Sequence, residues 1–228
     1  MVVPRSRKVI TDGVVIGLTT GVYGLSFGAL GATSGFSWLN TQFLSLFLFS
    51  GASQFALVGF IGAGGGLAAA LLTTWMLAAR NGFYALRMAE LLDLRGPKKW
   101  LAAQLTIDES TGLATSYDEP GNRSLARLGF WAAGISVYVF WNLATAIGYF
   151  AAGFIDDPLD FGVDAAIAAA FLALLWPRLK DQTARLVAGA SVVLAIALVP
   201  VTPIGVPVLA CSFVALAAGL WVSRKRRA

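Results

Sequence analysis

The sequence contains no histidine and a single cysteine, Cys211. Without histidine, His-based catalysis and His metal sites are excluded, and so is the residue that most readily exchanges protons near neutral pH. One cysteine cannot form an internal disulfide, and Cys211 lies in an apolar run, where a thiol acts as a small hydrophobe. P-loop, Rossmann glycine and Cys/His metal patterns are also missing. We therefore expect no enzyme, no cofactor and no metal, and any proton that moves must use Asp or Glu.

Charged residues are scarce as well. They make up 13% of the 228 residues, against about 25% in soluble domains. Residues 13–79 contain no Asp, Glu, Lys or Arg, and this run is far longer than the ~20 residues of one membrane span. The pattern predicts an all-α fold, a polytopic transmembrane helical bundle that forms a single domain over 1–228. The net charge of +5 then reflects basic loops beside the spans, with no binding to nucleic acid.

The apolar runs predict about six full spans, at residues 14–31, 67–92, 125–154, 163–176, 186–199 and 204–222. Basic residues gather before the first span, after the second and at the C-terminus, and short loops rich in Lys and Arg stay in the cytoplasm. The acidic loop 156–160 has no basic residue, so we expect it outside. Both termini are therefore predicted to be cytoplasmic.

Two segments, 38–62 and 100–116, do not fit an ordinary span. The first is interrupted at 50–54 by Ser-Gly-Ala-Ser-Gln, so it is either a broken full span or a hairpin that re-enters the membrane. Re-entry leaves every basic loop on one side, and the charge rule favours it. The second segment is predicted to be one short helix with acidic residues in its middle, which dips into the membrane or lies against its surface.

The interruption at Ser50, Gly51, Ala52, Ser53 and Gln54 is the first candidate for a substrate-binding site. A Gly-Ala break frees backbone carbonyls, and Ser53 is placed to cap a new half-helix whose N–H groups attract a carboxylate. Gln54 adds both donors and an acceptor. The alternative is a helix kink at a packing interface.

Arg80 is the second candidate, because it lies near the middle of span 67–92, where an unpaired charge is costly. Its predicted partners, for a charge pair or a coupling group, are Asp108 and Glu109. The alternative is that Arg80 extends to the membrane surface. Three further polar residues within apolar segments are weaker candidates for contact with substrate: Asn81, Tyr84 and Asn142.

Glycines recur every three or four residues along the first span, at Gly13, Gly17, Gly21, Gly24, Gly28 and Gly31. This spacing places small residues on one helix face and lets another helix approach closely. We expect either a static packing face or a mobile interface there.

Three motifs together resemble the AzlC family of bacterial inner-membrane proteins. They are Phe-Ser-Gly-Ala-Ser-Gln-Phe at 49–55, Ala-Arg-Asn-Gly-Phe-Tyr at 79–84 and Thr-Ile-Asp-Glu-Ser at 106–110. The resemblance implies a carrier that exports branched-chain and similar amino acids, together with a small AzlD-type membrane subunit. The residues alone leave two alternatives open, a structural or assembly subunit that does not transport and a channel for a small solute.

Overall fold

The computed structural model of the protein describes residues 5–154, 172, 175–176, 179–202 and 206–227. The regular elements of this part of the chain are α-helices, as the sequence predicts. They are α1 Arg5–Thr33, α2 Trp38–Phe47, α3 Gly51–Gly62, α4 Leu67–Leu92, α5 Pro97–Gln104, α6 Asp108–Ser116, α7 Ser124–Ala152, α8 Gln182–Leu198 and α9 Val206–Arg227.

Helices α1 and α7 form a closely packed parallel pair. A Cβ atom added to Gly17 would lie 2.4 Å from the Cβ of Ser136, and one added to Gly28 would lie 2.0 Å from the backbone oxygen of Thr145. Residue numbers rise together along both helices, so the two run in the same direction. The predicted glycine face of the first span therefore packs on α7, with backbones too close for any side chain.

Polar contacts define the end of the molecule at which α1 and α7 begin, called here the N-terminal end. The Tyr117 hydroxyl, just before α7, donates to the Asp12 carboxylate on α1 at 2.7 Å. Helix α4 finishes at the same end, because Arg123 donates to the backbone oxygen of Glu90 at 2.9 Å. Helix α4 therefore runs antiparallel to α1 and α7, and the loops 34–37 and 63–66 lie at the opposite end.

Helices α2 and α3 form a hairpin that enters from the opposite end and returns to it; we call it the first hairpin. The ring of Trp38, at the start of α2, lies against that of Phe150 at the end of α7, with ring centroids 4.7 Å apart. Gly62, at the end of α3, lies against Ser34, since an added Cβ would be 2.4 Å from the Ser34 hydroxyl oxygen. The 10 residues of α2 span about 15 Å, half of the ~30 Å hydrocarbon core. This geometry is the re-entrant alternative that the charge pattern favours.

Segment 100–116 was expected to be one helix, and that expectation is wrong. Helix α5 ends at Gln104 and α6 begins at Asp108. Ile107 between them is extended, with φ −131° and ψ 177°, and its N–H donates to the Ser110 hydroxyl at 3.1 Å. That hydroxyl donates in turn to the backbone oxygen of Leu105 at 2.6 Å, so Ser110 supplies the polar partners that stabilise the break.

The pair α5–α6, the second hairpin, enters from the N-terminal end. Helix α5 starts a few residues after α4 finishes there, and Tyr117 returns to Asp12 after α6. The tip of the hairpin reaches the middle of the molecule, where the Gln104 side chain donates to the backbone oxygen of Leu46 at 2.8 Å. Two hairpins therefore enter from opposite ends, and their tips meet.

The expected count of six full spans is not reached by the described residues. Two of their helices, α1 and α7, have both the length and the apolar composition of a membrane span. Helix α4 coincides with the expected span 67–92. Arg80 and Asn81 in its middle give its span-length stretches a lower hydropathy than those of α1 and α7. Helices α8 and α9 coincide with the last two expected spans but contain shorter apolar stretches. The acidic loop 156–160 and most of the expected span 163–176 lie outside the described residues.

Large apolar side chains cover much of the outer surface of the described helices. Phe43, Trp75, Phe83, Leu86 and Phe154, for example, are each at least 60% exposed. A monomer in water rarely exposes so much contiguous apolar surface. A lipid environment accounts for it.

The α1–α7 contact gives a first prediction. Changing Gly28 to Ala should lower the free energy of unfolding by about 1–3 kcal/mol, because the added methyl group meets backbone atoms that cannot yield. The control is Gly189→Ala on α8, where a Cβ meets nothing within 4 Å. Thermal unfolding of both purified variants in detergent tests this. Equal midpoints would contradict the described packing.

Candidate functional site

A cavity of about 220 Å³ lies where the tips of both hairpins face α4 and α7. We call it the central cavity. Its lining residues Thr20, Arg80 and Val137 stand near the middles of α1, α4 and α7. The cavity therefore lies at about half the depth of the long helices, the place where transporters with interrupted helices hold their substrates.

Seven of the residues singled out in the sequence line this cavity together. The first hairpin contributes Ser50, Gly51 and Ala52, α4 contributes Arg80 and Asn81, and α6 contributes Asp108 and Glu109. Apolar lining comes from Phe49, Leu77, Ile107, Val137, Trp141 and Leu175. Segments that lie far apart in the sequence thus form one site with polar groups on an apolar wall, as ligand sites commonly do.

Arg80 and Asp108 form an ion pair inside the cavity. The Arg80 Nη1 atom donates to Asp108 Oδ2 at 2.9 Å, and the two side chains are 32% and 19% exposed. Asp108 is one of the two partners that the sequence predicts for Arg80, and Glu109 lies beside it on the lining. Asp108 is also the first residue of α6, where the helix dipole favours a negative charge.

The break in the first hairpin lies slightly earlier in the chain than the sequence suggested. Ser50, with φ −153° and ψ 97°, precedes the first residue of α3, so it occupies the capping position that was expected for Ser53. The hydroxyls of Ser50 and Ser53 are hydrogen-bonded to each other at 2.9 Å. Gly51 and Ala52 form the first turn of α3 on the cavity wall. Amide groups in a first turn have no partner within their own helix, so this wall is electropositive.

Gln54 is fully buried and is not among the lining residues. Its Nε2 atom donates to the backbone oxygen of Leu44 at 3.0 Å and, at the limit of bonding, to that of Ser45 at 3.5 Å. Both carbonyls belong to the last turn of α2, and that of Leu44 also accepts the backbone N–H of Leu48 at 3.0 Å. Gln54 therefore stabilises the hairpin from behind, and Ser53 is buried beside it.

Tyr84 and Asn142 lie outside the central cavity. Tyr84 follows Arg80 by one helical turn toward the N-terminal end and is half-buried. The Asn142 Oδ1 atom accepts a hydrogen bond from Gln42 Nε2 at 3.1 Å, and its Nδ2 donates to the backbone oxygen of Tyr138 at 2.8 Å. The Asn142 side chain thus links α7 to α2.

Trp141 is a cavity residue that sequence reasoning did not select. It is 4% exposed, and its ring lies over Gly51, where an added Cβ would be 3.0 Å from the ring. Its indole Nε1, the Nε of Arg80 and the Oδ1 of Asn81 are buried without a hydrogen-bond partner in the described protein. Buried polar atoms are nearly always paired with protein, water or ligand. Because these three unpartnered atoms belong to residues that line one cavity, the cavity is suited to a polar ligand.

Metal binding has no support in the part of the chain that the structure describes. No three Asp, Glu or Cys side chains cluster there as ligands would. The chemistry available to the site is that of one positive and two negative side chains, one amide and the electropositive first turn of a helix.

Comparison with known proteins finds a family and several relatives. The model of the family described as AzlC protein matches residues 15–155. An uncharacterized membrane protein of Archaeoglobus fulgidus is 32% identical over 184 residues, which cover 79% of this chain and 80% of that protein. An uncharacterized membrane protein of Haemophilus influenzae is 25% identical, with coverage of 75% and 67%. The inner membrane protein YgaZ of Escherichia coli is 31% identical, with coverage of 55% and 52%. No solved structure matches.

The ion pair gives a second prediction. Changing Arg80 to Gln should lower the free energy of unfolding by about 1–3 kcal/mol, because Asp108 loses its charged partner. The double variant Arg80→Gln/Asp108→Asn should lose less, since no charge is left uncompensated. Thermal unfolding of the purified proteins measures both.

The matched control is Arg5→Gln, which removes an exposed arginine that pairs with Glu119. Such surface pairs contribute little, so stability should hardly change. A double variant that is less stable than Arg80→Gln would refute the interpretation of Arg80 and Asp108 as a mutually compensating pair.

Proposed function

Because the chain belongs to the AzlC family, we propose that it is a membrane carrier that exports branched-chain and similar apolar amino acids through the central cavity. The observation that carries this proposal is the position of the cavity. It lies at mid-depth between two interrupted segments and contains charges of both signs. Interrupted helices around a mid-depth site are typical of secondary transporters.

The cavity has a place for each part of a zwitterionic amino acid. The first turn of α3 at Gly51 and Ala52, with Arg80 opposite, favours a carboxylate. Asp108 and Glu109 favour an ammonium group. The carbonyls at the end of α2 are less suited to that role, because Gln54 already donates to them.

The aliphatic tail of the substrate would lie against the apolar wall of the cavity, which includes Phe49, Val137 and Trp141. A pocket of this kind distinguishes side chains that differ by one methylene by only about 1–3 kcal/mol. Leu, Ile, Val and Met should therefore all be accepted to some degree.

The N-terminal end is proposed to face the cytoplasm of a bacterial cell, with the protein in the inner membrane and both termini inside. Both hairpins return to the end from which they enter. The basic residues around the ends of α1, α4, α5 and α7 therefore collect on one side, and they include Arg5, Lys8, Arg87, Arg95, Lys98, Lys99 and Arg123. The loops 34–37 and 63–66 at the opposite end carry no charge. This asymmetry is the one that orients membrane proteins.

A small AzlD-type membrane subunit is proposed as a partner. Helix α8 offers a candidate surface, because it has no buried residue and exposes Leu186, Val192, Val193 and Ile196. Its apolar face is available to a second membrane helix or to lipid.

Transport gives a third prediction. Changing Gly51 to Leu should reduce leucine efflux from reconstituted vesicles more than tenfold, because the new side chain would extend into the cavity beside Trp141. The control is Gly59→Leu on the same helix, where a Cβ meets nothing within 4 Å. Both variants must insert at the wild-type level. Unchanged efflux by Gly51→Leu would contradict a transport route through the cavity.

Membrane topology gives a fourth prediction. In a Cys211→Ala background, Ala63→Cys should react with an impermeant thiol reagent from outside the cell, and Lys98→Cys should react only after permeabilisation. The reason is that the first hairpin returns to its own side, so that α4 crosses inward. Reaction of both residues from the same side, or the reverse pattern, would refute the proposed orientation.

A further inference from the structure

One hydrogen bond joins the tips of the two hairpins. Gln104, the last residue of α5, donates from Nε2 to the backbone oxygen of Leu46 at 2.8 Å and to that of Phe47 at 3.5 Å. Leu46 and Phe47 form the last turn of α2. The bond therefore connects an element anchored at the N-terminal end to one anchored at the opposite end.

The side chains that donate to the last turn of α2 belong to different elements of the structure. Leu44 is bonded by Gln54, which belongs to the first hairpin and moves with it. Leu46 is bonded by Gln104 from the second hairpin and, less closely, by the Tyr138 hydroxyl of α7 at 3.3 Å. If the second hairpin withdraws toward its own end, Leu46 loses its shorter bond and keeps only the longer one.

A partly buried carbonyl that keeps only the longer of its two hydrogen bonds is less stable unless water replaces the lost donor. Withdrawal of the second hairpin thus favours entry of water at its tip. The same hairpin contributes Ile107, Asp108 and Glu109 to the cavity wall only a few residues after Gln104. A movement that breaks the Gln104 bond therefore also shifts the acidic wall of the cavity.

We propose that Gln104 is a positioning residue that holds the second hairpin closed against the first, and that release of its bond opens the central cavity to the N-terminal end. We call this bond the latch. Its release leaves the first hairpin held by Gln54 and by α7, whereas withdrawal of the second hairpin must also break the Arg80–Asp108 ion pair and the contact of Leu105 with α7. This inference rests on the proposed function only for the identity of the transported molecule. The opening of the central cavity involves only residues of this chain.

The experiment measures access to the cavity without any substrate. In a Cys211→Ala background, Ala52→Cys on the cavity wall reports entry of an impermeant maleimide applied from either side of sealed vesicles. Ser6→Cys identifies the vesicle side that corresponds to the N-terminal end. The test variant is Gln104→Met, which keeps a side chain of similar length but has no donor.

The matched control is Gln42→Met, which also removes a glutamine donor from a bond between helices, here to Asn142 on α7. With Gln104→Met, labelling of Ala52→Cys from the N-terminal end should rise about tenfold, with labelling from the opposite end unchanged. With Gln42→Met, both rates should stay at the reference value. Gln104→Asn, whose shorter side chain lengthens the bond, should give an intermediate increase and serves if Gln104→Met does not fold.

Three results would contradict this proposal. The first is no increase in labelling of Ala52→Cys from the N-terminal end with Gln104→Met. The second is an equal increase in labelling from both ends, which indicates general loosening, and the third is the same increase with Gln42→Met. Because labelling needs no amino acid, a protein that fails to transport leucine but shows the one-sided increase would disprove the proposed function and leave the latch intact.

Discussion

The low-dielectric interior of a membrane protein requires every backbone polar group to find a partner, and this requirement organises the described part of the chain. Two segments break their helices at mid-depth, after Phe47 and after Gln104. Each break leaves amide and carbonyl groups that a continuous helix would satisfy internally. The side chains that bond to the backbone beside these breaks, Gln54, Gln104 and Ser110, all lie around the central cavity or directly behind it.

A rigid frame holds these breaks in place. The parallel pair α1–α7 allows no side chain at several of its glycine contacts, so the two long helices have little freedom to shift. The first hairpin packs along the far half of α7, where Ser45 donates to Thr145 at 3.1 Å. The second hairpin packs along the near half, where an added Cβ on Gly134 would lie 3.1 Å from Leu105. Helix α7 thus sets the depth at which the two tips meet.

Sequence reasoning identified those residues of the central cavity that leave a local signal. A polar interruption in an apolar run predicted the first hairpin. The mid-span position of Arg80 predicted that it pairs with an acidic residue, and Asp108 is that residue. The glycine spacing correctly predicted a close helix contact, although it did not identify α7 as the partner. The break was placed about three residues too late, because Ser53 is as good a capping residue as Ser50 and only the backbone distinguishes them.

The sequence left open that segment 100–116 dips into the membrane, but the break within it was missed for a physical reason. Segment 100–116 has few residues that break a helix, and its turn is stabilised by Ser110, whose bonds to Ile107 and Leu105 form only in the folded chain. With one continuous helix assumed, Gln104 had no special position. Trp141 was likewise unremarkable within an apolar helix, since its contact with Gly51 depends on how the hairpin folds against α7.

The central claim is that the cavity between the hairpin tips holds the transported amino acid. The most direct measurement is a crystal structure of protein made with ordinary methionine and soaked with free selenomethionine, whose selenium is located by anomalous scattering. The account predicts a selenium peak in the central cavity, near Phe49 and Trp141, with the amino-acid head group at Arg80 and Asp108. A saturated crystal with selenium bound elsewhere and none in the cavity would contradict it.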